Sequence, residues 1–210
     1  MKRGAFCLAL FGWPMSGAAD AATKAPVAVY ARFEHQPPGS ASELLRRELR
    51  AILSPAGFEF EWRSATDPSN ETWAALAVVQ FKGHCDARDL ARAVHFAGGA
   101  LGWTHVSNGR ILPFIEVDCD RIGAFLESGL FALPLPVREK AFQRAIARVV
   151  AHELYHVFTE TTAHGSRGVA KASFSAEELL SDQFRFQSRE ARALSHKGAQ
   201  AWLQFSLRAQ

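Results

Sequence analysis

His152 and His156 lie four residues apart in the run VVAHELYHVF, and Glu153 follows the first of them directly. On a helix the two imidazoles would project from one face, a turn apart, and could grip a single ion. Neutral imidazole suits zinc and other transition metals. A carboxylate beside the ion, outside its ligand set, can take a proton from water. That division of labour is what metal-assisted hydrolysis requires. With eight histidines in 210 residues, the spacing HExxH is rare by chance. The bland alternative is that His152 and His156 end a solvated polar stripe begun by Arg144 and Arg148.

Two histidines leave a tetrahedral ion short of ligands, and three residues compete for the next place. Glu160 continues the spacing of four, but on a straight helix it lies roughly 12 Å along the axis from His152. Glu178 with Asp182 forms an ExxxD pattern further along. His164, in a loop with Gly165 and Gly168 able to turn the chain back, makes the shortest closure and is the preferred ligand. His84, His95 and His105 have no ligand-like spacing, and His35 and His196 lie beside polar turn residues. The chain has no Gly-rich phosphate loop, serine nucleophile elbow or CxxC.

The run HELYH is similar to the zincin metallopeptidase signature, and the order of elements from about residue 27 to 185 resembles that superfamily's N-terminal subdomain. A third histidine after a glycine-containing turn is similar to the metzincin branch. The tail HGSRGVAKASFSAEEL resembles short exported bacterial zincin-like proteins. Two departures stand out. The metzincin pattern has glycine and the third ligand where this chain has Thr159 and Thr162, and Met1 and Met15 are too early for a methionine turn. The resemblance implies an exported, zinc-dependent metalloendopeptidase acting on a peptide or protein substrate. His152, His156 and His164 would be its metal ligands and Glu153 its general base. Glu178 in third place would make it gluzincin-like. The competing class is a non-catalytic zinc-binding or interaction protein on the same scaffold.

Several elements must position these residues. From Val137 to Phe158 an apolar face of Phe142, Ile146, Val149, Val150, Leu154 and Val157 predicts one long helix. VAVYARFE and FEFEWR alternate as half-buried strands. GSASELLRRELRAIL reads as a helix with a capping box at Ser40 and Glu43. WAALAVVQF is apolar enough for a central strand covered on both faces. Asn108-Gly109 predicts a hairpin, and Pro113, which cannot donate to a ladder, marks ILPFIEV as a sheet edge. Residues 111–117 are then expected to line the cleft opposite His152 and His156. SAEELLSDQFRFQSREARAL predicts a further helix capped by Ser175. The expected class is α+β and zincin-like: a twisted mixed sheet with a Pro-containing edge strand packed on the long active-site helix.

The first 21 residues read as a signal peptide: Lys2 and Arg3, an apolar run from Ala5 to Phe11, then Ala19-Asp20-Ala21. Residues 22–210 are expected to form one domain, exported to the periplasm or medium, with no stable membrane anchor. Setting aside two cations and one anion with the leader lowers the net charge from +3 to +2, which gives no basis for nucleic-acid binding. Cys85 and Cys119 remain, an even pair in an oxidising compartment, and are expected to form a disulfide.

Overall fold

The computed structural model describes residues 26–67, 70–90 and 98–208; the expected signal peptide and His95 lie outside the described residues. Among the described residues the protein is α+β, with one mixed five-stranded sheet. The strands are β1 (Val27–His35), β2 (Glu61–Ser64), β3 (Ala75–His84), β4 (Gly102–Ser107) and β5 (Arg110–Asp118), in the order β2-β1-β3-β5-β4. Every pairing is parallel except β4 with β5. The helices are α1 (Gly39–Leu53), α2 (Cys119–Leu130), α3 (Leu135–Thr159), α4 (Ala176–Leu180) and α5 (Ser188–Arg208).

β3 is the central strand, as its apolar content predicts, but helices cover one face of it. Ala77, Val79 and Phe81 are buried in register with Val29, Ala31, Ile115 and Val117, and α1 and α3 close that side. On the other face Leu76, Trp103 and Phe114 are exposed. The expectation of two covered faces is corrected: the alternation of burial along β3 belongs to a one-sided sheet.

The hairpin between β4 and β5 turns at Asn108 and Gly109, both at positive φ (51° and 74°), the conformation of a type I′ turn. The hairpin overturns the edge assignment. β5 is sandwiched between β3 and β4, so β4 is the edge and the strand holding Pro113 is not. Pro113 is tolerated because it sits at an irregularity. Thr104 pairs with Ile115 and Val106 with Ile111, so His105 alone faces Leu112–Phe114, while pairing with β3 begins only at Phe114. The missing donor falls where neither ladder needs it.

Three further expectations change. Pro38 rather than Ser40 caps α1, and Glu43 pairs with Arg46 instead of closing a capping box. Phe58 and Phe60 are buried, but pairing with β1 starts only at Glu61. The helix expected over 175–194 is two helices. α4 starts at a true capping box of Ser175 and Glu178 and stops after five residues. Its carbonyls at Glu178 and Leu179 accept from Arg148 Nη1 at 3.0 and 2.8 Å, and those of Leu180 and Ser181 from Arg144. Side chains from α3 have taken the acceptors that would continue the helix.

α2 was not foreseen. Asp118 caps it by accepting from Arg121 N at 2.9 Å, and Ile122, Leu126 and Leu130 bury one face. Cys85, after β3, and Cys119, at the start of α2, form the expected disulfide, Cα atoms 5.1 Å apart. No helix among the described residues is long and apolar enough to cross a membrane.

Candidate metal centre

α3 presents His152, Glu153 and His156 inward, each less than a tenth exposed. The stripe at spacing four is therefore not a solvated one. Arg148, a turn before His152, is 1 % exposed, bonded to Glu48 and to α4 carbonyls, with its guanidinium 4.8 Å from the Phe184 ring centroid. It fastens α4 and the Phe184 segment to α3.

The helix ends at Glu160, in the left-handed conformation (φ 52°), whose N–H bonds back to His156 O and Val157 O. The reversal that a glycine would make falls here on glutamate. Thr161 O turns back to accept from His156 Nδ1 at 2.6 Å. The chain then runs through exposed His164, bridges Gly165 to Lys171, and places Val169 O against His152 Nδ1 at 2.7 Å. Gly168 makes this possible. It sits at φ +68°, and a Cβ there would lie 2.1 Å from Arg185 O.

The two carbonyls settle the tautomers. A carbonyl can only accept, so both histidines carry their proton on Nδ1 and leave a bare lone pair on Nε2. Those two Nε2 atoms face each other at 3.1 Å, with no proton between them in the neutral rings. His164 completes the group: one ligand atom from each of the three histidines lies within 4.8 Å of the others. Burial holds His152 down to about pKa 4 and also lowers His156, so both rings stay neutral and able to donate their lone pairs. Three converging imidazoles, two of them oriented by backbone carbonyls, form a group that could hold a metal ion.

The other contenders are engaged elsewhere. Glu160 pairs with Lys197 at 3.3 Å. Glu178 accepts from Lys171 Nζ and from Ser175 N in its capping box.

Glu153 lines the same cavity as the three histidines. Burial pushes its carboxyl up to about pKa 7, against hydrogen bonds from Thr104 that pull the other way. Thr104 Oγ1 lies 2.8 Å from Glu153 Oε2 and 3.2 Å from Glu153 O. Nothing in the pattern of β4 marks this threonine. The nearest signal is Gly102, two residues earlier, where a Cβ would come 2.7 Å from Val149 Cγ1. The glycine lets the edge strand lie close on α3.

A cavity of about 410 Å³ opens over the three histidines and Glu153. Its walls include Leu101–Thr104, Val106 and Phe174. Of residues 111–117, expected as its lining, only Ile111 reaches it among the described residues, because β4 stands between β5 and the cleft. Searches with family models, curated proteins and solved structures give no match to this chain.

Proposed function

We propose that the chain is an exported zinc-dependent metallopeptidase of zincin-like kind, with His152, His156 and His164 as ligands and Glu153 as general base. The observation that carries this reading is the pair of Nε2 lone pairs facing each other at 3.1 Å. Two bare acceptors at that distance repel unless a cation lies between them. Two nitrogens at zinc's bond lengths in a tetrahedral shell would stand about 3.3 Å apart, close to what the rings already adopt.

Zinc held there would supply Lewis acidity toward a scissile carbonyl and lower the pKa of water beside it. The chain's own residues do the rest. Glu153 accepts a proton from the attacking water and passes it to the leaving amine. An environment that favours its protonated form makes that uptake inexpensive.

β4 supplies the substrate's place. Asp118 N donates to Leu101 O at 3.0 Å, which makes Leu101 and Trp103 the residues hydrogen-bonded to β5. The main-chain groups of Gly102 and Thr104 then point away from β5, to an edge that no strand among the described residues covers, where an extended peptide can add as a strand.

The test is metal content first and cleavage second. Wild type should bind one zinc. His152→Ala and His164→Ala should lose it, while Glu178→Gln and Glu153→Ala keep it. Against unfolded polypeptides, Glu153→Ala should abolish a cleavage that wild type performs. Zinc-loaded wild type that cleaves nothing would point to a non-catalytic binding protein, and a chain that takes up no transition metal would end the reading.

A further inference from the structure

We infer that Thr104 is a positioning residue for the base: its hydroxyl fixes the Glu153 carboxylate while its main chain receives the substrate, so one residue sets the two in register. The inference rests on the hydrolase reading and names a group which that reading does not require.

A buried carboxylate on a helix can rotate about its last torsion with little preference, and a rotating base presents its oxygens at random. Here Thr104 Oγ1 donates to Oε2 at 2.8 Å, the shorter of its two contacts with Glu153. Among the described residues no hydrogen bond holds Oε1, and Glu153 lines the cavity. The threonine thus selects which oxygen is tied and which is free. Its own placement is fixed from two sides. Thr104 pairs with Ile115 in the sheet, and Gly102 allows β4 to come close enough to α3 for the hydroxyl to reach.

The second half follows from the ladder. Thr104 belongs to the pair not hydrogen-bonded to β5, so its N–H and C=O face the open edge while its side chain faces α3. A peptide added to that edge would bond to the main chain of the same residue whose side chain holds the base. The register of the substrate and the orientation of Glu153 would share one anchor. Positioning of this kind matters because small misplacements of a reacting group cost large factors in rate.

Two variants separate the hydroxyl from the packing. Thr104→Val keeps the shape and removes the donor; Thr104→Ser keeps the donor. In crystal structures of the zinc-loaded proteins, Glu153 should hold one carboxylate orientation in wild type and in Thr104→Ser, and rotate or split in Thr104→Val. Zinc content should be the same in all three. In turnover of an unfolded polypeptide, Thr104→Val should lose at least tenfold in kcat with KM within about twofold of wild type, and Thr104→Ser should recover most of the loss. An unmoved, singly ordered Glu153 in Thr104→Val would overturn the inference whatever the activity. So would a Thr104→Ser variant as impaired as Thr104→Val, since packing alone would then be responsible. A wild type without turnover but with the predicted Glu153 disorder in Thr104→Val would sink the hydrolase reading and leave the positioning intact.

Discussion

Glu153 and His152 are neighbours on α3 whose protonation is pushed in opposite directions by the same burial. The carboxyl is raised to about 7 and the imidazole lowered to about 4, because each is held in its neutral form away from water. In metal-free protein this has a sign that can be worked out. Below pH 4.5 Glu153 is protonated in both folded and unfolded chains and costs nothing. Between 4.5 and about 7 the unfolded chain ionises while the folded one holds its proton, so stability falls as pH rises. Above 7 the full cost is present, roughly 3 kcal/mol for a gap of this width. His152 acts at the other end, where its stability contribution, complete above 6.5, is lost as pH falls through about 4. Glu153→Gln isolates the first effect, since the amide keeps the shape and cannot ionise. Urea unfolding of chelator-treated protein should find the variant more stable than wild type by roughly 3 kcal/mol at pH 8 and by little at pH 4. Equal differences at both pH values would show that the carboxyl is not buried as described.

α3 was legible in advance because its signal is local. Apolar residues at helical spacing predict it to within two residues at either end, and a spacing of four puts His152 and His156 on one face without any tertiary information. His164 could be argued from the shortness of the connection. Thr104 could not, because its meeting with Glu153 depends on which strand lies at the edge, a fact of tertiary pairing. Pro113 misled for a physical reason: a missing donor fits an irregularity between two strands as well as it fits an edge. Arg144 and Arg148 read as solvated charge, yet they fold inward to take α4's carbonyls. The turn from His164 to Val169 depends on Gly168. Gly168→Ala would add a left-handed cost of about 1–2 kcal/mol and force the chain off Arg185 O. The Val169 carbonyl that orients His152 would move with it. The variant should be destabilised by more than about 2 kcal/mol, and its zinc affinity should drop by about 10–100-fold, the usual effect of losing such a support. Competition with a chromophoric chelator would measure the second. An unchanged affinity in a folded variant would show that the carbonyl does not orient the ring.

Across the whole molecule, the helical half carrying the histidines and the hairpin carrying Thr104 meet over the cavity, and what keeps them together is partly covalent. Cys85 follows the central strand and Cys119 begins α2, so their disulfide closes a span of 34 residues that includes the whole β4–β5 hairpin. Both cysteines are buried in the hydrophobic core. In the chain-entropy account, closing a loop of that size stabilises the fold by roughly 3–4 kcal/mol, mostly by restricting the unfolded chain. The consequence for the site is specific. The three histidines and their carbonyl supports all lie outside the closed span, whereas Thr104 and the free edge lie within it. A Cys85→Ala, Cys119→Ala double variant should therefore lose about 3–4 kcal/mol of stability by urea unfolding. Under conditions where it is still folded, it should take up zinc in the same ratio as wild type. If the hairpin loosens before the helical half, amide exchange in Gly102–Ser107 should accelerate more than exchange in Leu135–Thr159. Wild type unfolded without reductant should show no free thiol from this pair, and two titrating thiols would contradict the disulfide directly. Loss of zinc binding together with stability, or equal acceleration of exchange in both segments, would show instead that the hairpin and α3 fold as one unit.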